Sequence, residues 1–136
     1  MKKVCIVMGS DSDLKVMEGC VNKLDAFGVP YDVRIVSAHR TPAAAEALSK
    51  NAAADGYGVI IAAAGKAAHL GGVLAAPSGI PVATVGVNGA ENAAILAVQM
   101  LALSEPELAS KLDAFKAEMA QKVEAKDAKI RAQFAK

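Results

Sequence analysis

A histidine and an arginine stand side by side in a polar segment that follows an apolar run of the sequence. His39 and Arg40 precede Thr41 and Pro42, which are typical of the first residues of a helix. A histidine with an unperturbed pKa of about 6.5 can move protons near neutral pH, and a guanidinium can bind a phosphate or a carboxylate with two parallel hydrogen bonds. The spacing alone leaves open whether His39 is such a proton carrier or a solvated surface group.

A second segment, Gly9–Asp13, also follows an apolar run and is rich in small side chains that carry oxygen. Ser10 or Asp11 could simply cap a helix. The functional alternative is a phosphate or sugar site, because free N–H groups at the start of a helix attract anions. In that interpretation Ser10, Ser12 and the backbone bind phosphate, and Asp13 binds ribose hydroxyls. The pattern is neither a Walker loop nor GxGxxG, so by itself it does not identify the ligand.

A third segment combines small residues with a second histidine. Gly65 and its small neighbours would allow a flat ligand to approach the backbone closely. His69 follows, and it is either part of such a site or a helix residue that bonds to a carbonyl. The sequence contains no three histidines or carboxylates at metal-ligand spacing, so it predicts no metal site. Composition leaves a Ser-His-Asp triad open, but no GxSxG motif supports one.

Length, charge and cysteine usage limit the classes of protein to which the chain can belong. A chain of 136 residues is expected to form a single domain over residues 1–136. Its formal net charge of +1 gives no electrostatic reason to bind nucleic acid or an acidic membrane surface. No apolar stretch approaches the roughly 18 residues of a membrane span. Cys5 and Cys20 fit buried thiols in a reducing cytoplasm better than a disulfide.

The pattern of apolar and polar residues predicts the elements that position these segments. Buried strands alternate with amphipathic helices, which is typical of an α/β fold with a doubly wound parallel sheet. The expected strands are 3–8, 31–36, 58–63 and 80–87, and the expected helices are 11–27, 42–54, 73–76, 90–103 and a long last one from 106 onward. Because ligands bind at the carboxyl ends of the strands in such sheets, we expect the three polar segments to converge there, with the first strand between the second and the third.

The three polar segments resemble signature stretches of the 5-(carboxyamino)imidazole ribonucleotide mutases of bacterial-type purine biosynthesis. The resemblance runs in order over most of the chain, through Met8–Asp13, Ser37–Pro42, Ala67–Leu70, Gly79–Val82 and Asn92–Ala94. It implies a flavodoxin-like fold with three α/β/α layers, a homo-octamer, no cofactor and a small-molecule ribonucleotide as substrate. The reaction it implies moves a carboxylate from the exocyclic nitrogen of an aminoimidazole ribonucleotide to a ring carbon, by decarboxylation and recarboxylation.

The resemblance also assigns roles to single residues. It makes His39 the general acid and base. The residues that it assigns to substrate binding are Ser10, Ser12, Asp13, Ser37 and Arg40 around the ribose phosphate, and Gly65, Lys66, Ala67, His69 and Leu70 over the base and the carbon dioxide. These roles agree with the chemistry inferred from the residues, because the ring carbon needs a proton shuttle and a closed pocket retains carbon dioxide.

The chain departs from the family pattern in its third segment and directly after it. Ala63, Lys66 and Gly71 replace two glycines and a proline of the family, and Lys66 either contacts the substrate carboxylate or points to water. Between Ala76 and Pro77 the family has a further strand and helix, roughly 25–30 residues by the size of a β-α unit. A sheet that lost them would expose more apolar area than a stability of about 5–15 kcal/mol tolerates. We therefore expect Ala76 and Pro77 to lie far apart.

Two other functions stay open at this point. A non-catalytic ribonucleotide-binding module would keep the phosphate site without the chemistry. A carboxylase of the same family would add free carbon dioxide to the unmodified ribonucleotide. The relatives that do so differ in their histidine segments, so the stretch Ser37–Pro42 favours the mutase.

Overall fold

Strands and helices alternate along the chain. The computed structural model describes residues 1–64, 69–85 and 88–135. The strands are β1 (Lys3–Met8), β2 (Tyr31–Ile35), β3 (Tyr57–Ala63) and β4 (Val82–Ala83), and the helices are α1 (Leu14–Phe27), α2 (Pro42–Asn51), α3 (His69–Ser78), α4 (Ala90–Ala102) and α5 (Pro106–Gln133). A single 3-10 turn, Asp11–Asp13, connects β1 to α1.

The four strands form one parallel sheet in the order β2-β1-β3-β4. Met8 at the end of β1 is in register with Ile35 of β2 and with Ala63 of β3. The carboxyl ends of these three strands therefore lie side by side, and the segments that follow them start from one edge of the sheet. The predicted order, with the first strand between the second and the third, is confirmed.

The strand β1 is buried on both faces, and its side chains alternate between two hydrophobic cores. Val4, Ile6 and Met8 pack in one core with residues of α1, α4 and α5. Cys5 and Val7 pack in the other core with residues of α2 and α3. This alternation follows from the two-residue period of a strand. It confirms the predicted three-layer α/β/α arrangement of a flavodoxin-like fold.

The helix α3 runs through Ala76 and Pro77 without a break, so the expectation that these two residues lie far apart is wrong. Gly79 then adopts a φ of 64°, which glycine accepts without steric cost, and the chain enters β4 within three residues. The strand β4 pairs directly with β3, and the N–H group of Ile60 donates to the carbonyl of Pro81 at 2.9 Å.

Small side chains and one buried hydrogen bond compensate for the short connection. The alanine-rich helix α4 packs in the same core as Ala83 of β4. On the other face of the sheet, the buried hydroxyl of Ser49 in α2 donates to the carbonyl of Leu74 in α3 at 2.6 Å. These contacts hold β4 and α3 to the rest of the fold across the short connection.

The strand β4 and the helix α3 differ most in length from the prediction. The strand β4 comprises only Val82–Ala83, whereas a strand was expected over 80–87, of which 86–87 lie outside the described residues. The helix α3 begins at His69, four residues before the expected start at Val73. The glycines of this segment favoured a loop, but Leu70 packs in the core one turn before the next buried leucine of α3 and extends the helix.

The helix α5 is the long C-terminal helix that was predicted. Leu108 and Leu112 are buried, and the ring of Phe115 meets that of Phe27 edge to face with centroids 5.5 Å apart. Residues 116–135 are exposed. Among the residues described, no helix combines the length and the apolar composition that crossing a membrane requires.

Candidate active site

The segment after β1 is held by its own serine hydroxyls. The Ser10 oxygen accepts hydrogen bonds from the N–H group of Ser12 at 3.3 Å and from the Ser12 hydroxyl at 3.0 Å, and the Ser10 hydroxyl donates to the Asp11 carboxylate at 3.4 Å. Ser10 therefore caps the 3-10 turn. Ser12 is exposed and Ser10 half-buried, so both hydroxyls can exchange these bonds for bonds to a phosphate.

The segment after β2 is closed by reciprocal bonds between Ser37 and Thr41. The Thr41 hydroxyl accepts from the N–H group of Ser37 at 2.9 Å and donates to the Ser37 carbonyl at 3.1 Å. The Ser37 hydroxyl accepts from the N–H group of Arg40 at 3.0 Å. These bonds fix the turn and leave His39 and Arg40 exposed. Thr41 occupies the N-cap position of α2, as its type and the following proline indicate, but its hydroxyl is engaged in this way and makes no cap bond to the helix.

A polar cleft of about 350 Å³ lies between these two segments. It contains three of the residues assigned to the ribose phosphate, which are Ser10, Ser37 and Arg40. A guanidinium beside two hydroxyls suits a phosphate, whereas the carboxylate of Asp11, which also lines the cleft, opposes one. Thr41 also lines the cleft. The prediction missed this role, because a threonine before a proline indicates only the start of a helix.

The two histidines of the chain meet edge to face. Their ring centroids are 5.6 Å apart and the rings are inclined by 75°. His69 is the first residue of α3 and is exposed, as is His39. The turn after β2 and the start of α3 therefore approach each other at His39, the residue that precedes Arg40 in sequence. Two imidazoles in contact can donate protons to one bound ligand and accept protons from it.

A second cavity of about 380 Å³ opens at the carboxyl ends of the strands. Asp13 lies in its wall, as do Gly71 and Gly72 of α3. Most of its other lining side chains are small or apolar, among them Met17, Ala63, Ala64, Ala83, Ala90 and Ala93. The structure thus places Asp13 in a different cavity from Ser10, although only two residues separate them in sequence.

Of the remaining residues predicted to bind substrate, the structure describes only some. Leu70 is 5% exposed and packs in the core with Leu74, so its side chain supports α3, and its assignment to substrate binding stays a prediction. Gly65, Lys66 and Ala67 lie outside the described residues.

The thiols lie in the two cores, away from the strand-end segments. Burial raises the pKa of Cys5 to about 11 and the pKa of Cys20 to about 12. Both thiols are therefore protonated and weakly nucleophilic near neutral pH. Over residues 1–64, 69–85 and 88–135, no three or more histidine, cysteine or carboxylate side chains are grouped so that they could hold a metal ion.

Comparison with known proteins identifies relatives over nearly the whole chain. A family model described as AIR carboxylase matches residues 3–77 and 76–122. An N5-carboxyaminoimidazole ribonucleotide mutase of Methanocaldococcus jannaschii is 44% identical over 158 aligned positions, which cover 96% of this chain and 99% of that protein. One of Mycobacterium tuberculosis is 41% identical, with 94% and 90% covered. The crystal structure of Treponema denticola PurE superposes with a TM-score of 0.81 at 29% identity, and covers 94% of this chain and 98% of that one.

These alignments also show a difference in length. Since 96% of 136 residues is about 131, about 27 of the 158 positions aligned with the Methanocaldococcus protein have no residue of this chain. The two segments matched by the family model meet at residues 76 and 77, inside α3. Together the two segments span most of the sequence. By the extent of these matches, this chain belongs to the AIR carboxylase family.

Proposed function

We propose that this chain is an isomerase, a mutase that converts 5-(carboxyamino)imidazole ribonucleotide to 4-carboxy-5-aminoimidazole ribonucleotide in purine biosynthesis. Its identity of 44% to a protein named as such a mutase supports this function. The observation that carries the proposal on this chain's own residues is the contact of His39 with His69, one residue before Arg40 in sequence, because the reaction needs proton transfer near an anion-binding group. We further propose that the enzyme is a cytoplasmic homo-octamer, as its resemblance to the mutases implies.

The polar cleft would bind the phosphate of the ribonucleotide. Arg40 supplies the positive charge, and Ser10 and Ser37 supply hydroxyl donors. Because the carboxylate of Asp11 repels a phosphate, affinity depends on the guanidinium. Asp13 lies in the wall of the second cavity, and only two residues separate it from Ser10 in sequence. A ribose that extends from the bound phosphate toward that cavity would bind the Asp13 carboxylate.

The chemistry consists of two steps that pass through carbon dioxide. In the first step the bond between the exocyclic nitrogen and the carboxylate carbon breaks, its electron pair returns to nitrogen, and His39 donates the proton that completes the amine. In the second step the ring carbon attacks the carbon dioxide, and His39, now neutral, removes the proton from that carbon. One proton is delivered and one is removed, so His39 is regenerated. The small apolar side chains around the second cavity would retain the carbon dioxide between the steps.

The test compares His39→Asn with the same substitution at the neighbouring histidine, His69→Asn. We expect His39→Asn to bind the ribonucleotide and to abolish conversion, because the amide keeps much of the shape of the ring without a titratable proton. We expect His69→Asn to retain part of the activity. Conversion is followed by NMR of substrate labelled with carbon-13 in the carboxylate, and binding by calorimetry. Turnover of His39→Asn at a rate near that of the parent would refute the assignment.

A second candidate is a non-catalytic ribonucleotide-binding module. One observation favours it: about 27 positions of the Methanocaldococcus relative have no residue in this chain, and the two family-model segments meet inside α3. We infer from this that the chain lacks a strand and helix of the family between Ala76 and Pro77. The same experiment separates the functions. Binding without conversion by the parent protein would identify the module, conversion only of unmodified ribonucleotide with added bicarbonate would identify a carboxylase, and no binding would contradict all three.

A further inference from the structure

The strand β2 lies at one edge of the sheet, and three of its five residues are exposed. Within the described residues no strand pairs with its outer edge. Val33 is 39% exposed and Ile35 is 57% exposed. Natural proteins cover or blunt such edges, because their free N–H and C=O groups can pair with a strand of another chain. The residues of β2 themselves indicate which chain can cover this edge.

The hydrogen bonds to β1 determine which backbone groups of β2 point outward. The carbonyl of Pro30 accepts from β1 at 2.9 Å, and the N–H group of Val36 donates to β1 at 2.8 Å. Backbone groups alternate in direction along a strand. The N–H and C=O groups of Tyr31, Val33 and Ile35 therefore point away from β1, toward the outer edge.

These outward-facing groups match a second copy of the same strand. In an antiparallel pairing centred on Val33, Val33 faces the partner's Val33 and Tyr31 faces the partner's Ile35. Each of these pairs joins two outward-facing residues, and such a pair exchanges two backbone hydrogen bonds. All the outward groups of β2 are satisfied in this one register, and the apolar side chains of the three residues lie on the same face of the extended sheet.

The charged side chains select this register over its neighbours. In it, Asp32 faces the partner's Arg34 in a pair without backbone bonds, where the Cα atoms are about 4.5 Å apart and side chains are closest. A shift of two residues would place Asp32 against the partner's Asp32 in one direction, and Arg34 against the partner's Arg34 in the other. Both shifts create like-charge pairs, which are destabilising when directly opposite.

The side chains of Asp32 and Arg34 are both able to form this ion pair. The Oδ2 atom of Asp32 accepts from Lys3 at 2.8 Å and from the hydroxyl of Tyr57 at 2.7 Å, which leaves Oδ1 for a guanidinium. Arg34 is exposed and forms no ion pair within the described part of the chain. The Asp32 carboxylate is therefore already held in place by Lys3 and Tyr57. The exposed guanidinium of the partner's Arg34 can then bind the remaining oxygen, Oδ1.

We propose that the β2 strands of two copies of this chain pair antiparallel about a twofold axis at Val33, which joins their two sheets into one of eight strands. The contact is isologous, since the same residues serve on both sides. It does not depend on the enzymatic function, and its symmetry is compatible with any assembly that contains twofold axes.

A cysteine cross-link tests the register. Val33 faces its own counterpart with a Cα separation of about 5.5 Å, which lies within the range of a disulfide. We expect mild oxidation to link Val33→Cys into dimers. Ile35→Cys is the matched control: Ile35 is more exposed, but it lies about 13 Å along the strand from its counterpart and should not link. The native Cys5 and Cys20 are fully buried and contribute no link. Equal linking of both variants, or none of Val33→Cys, would overturn the proposal.

Charge exchange tests the ion pairs. Arg34→Glu sets two carboxylates against each other on both sides of the axis, so we expect sedimentation velocity to show half the mass of the parent protein. Lys126→Glu makes the same charge change on the exposed part of α5 and should leave the mass unchanged. Asp32→Arg should also halve the mass, and an equimolar mixture of it with Arg34→Glu should restore the parental mass, because each strand then carries the charges that complement the other.

The proposal is wrong if the parent protein is a monomer, if Arg34→Glu keeps the parental mass, or if two folded variants fail to associate when mixed. Asp32→Arg removes the contacts of Asp32 with Lys3 and Tyr57, so its fold is checked by circular dichroism. If it does not fold, Val33→Pro replaces it. Proline is tolerated on an edge strand where the N–H group faces outward, so this variant must fold and must halve the mass for the proposal to stand.

Discussion

Truncation of Leu74 measures how firmly α3 packs in a chain that joins Ala76 directly to Pro77. Leu74 is fully buried, whereas its neighbour Val73 on the same helix is 43% exposed. Removal of a buried leucine side chain costs its transfer free energy plus that of the cavity, about 2–5 kcal/mol. We expect Leu74→Ala to lower the free energy of unfolding by this amount, and the control Val73→Ala to lower it by less than about 1 kcal/mol.

Urea unfolding followed by circular dichroism measures both changes. With an m-value of about 2 kcal/mol per molar urea, the midpoint should fall by about 1–2.5 M for Leu74→Ala and by less than about 0.5 M for Val73→Ala. Equal shifts would refute the reasoning, because they would mean that α3 does not pack on the sheet through Leu74.

Three further predictions concern single contacts. Arg40→Ala should weaken ribonucleotide binding about 10- to 100-fold in calorimetry, the effect of losing a charge-assisted hydrogen bond, and an unchanged affinity would exclude Arg40 from the site. Hydrogen bonds from Lys3 and Tyr57 hold the pKa of the Asp32 carboxyl below its usual range, so its stabilisation is present above the pKa of the unfolded chain and is lost as the pH falls through the folded value. Asp32→Asn should therefore lower the urea midpoint at pH 7 and not at pH 2, and an equal loss at both would contradict the ionic origin. Gly28 ends α1 with a φ of 70°, so Gly28→Ala should cost about 1–2 kcal/mol in the same assay, and no loss would contradict the left-handed conformation.

The sequence was sufficient to predict the sheet edge at which the candidate site lies. The residues of β1 are apolar without alternation, which indicates a strand buried on both faces. Each of the first two strands is followed at once by polar residues, and parallel strands bring such segments together. The cleft that contains Ser10, Ser37 and Arg40 is the direct consequence. The prediction of this edge depends only on the local sequence pattern and on the right-handed crossovers between parallel strands.

The rest depends on contacts between distant residues, which no local pattern contains. Thr41 has the type of a cap, but its hydroxyl bonds to Ser37 four residues earlier. Asp13 stands close to Ser10 in sequence, yet the 3-10 turn directs it to a different cavity. The apolar area that a lost strand would expose does not predict the junction at residue 76, because the small side chains of α4 pack in the same core as Ala83 of β4.

The central position of β1 has a consequence for synthesis. The strand is synthesised before its neighbour β3, because Lys3 pairs with Tyr57, which follows 54 residues later. At about 5–20 residues per second, one edge of a strand that is apolar at every residue after Lys3 remains unpaired for roughly 3–11 seconds until β3 is made. Short segments of this kind are prone to aggregate when they are exposed. Yield from cells should therefore depend on chaperones that cover the nascent chain, and slower translation should lower the soluble fraction.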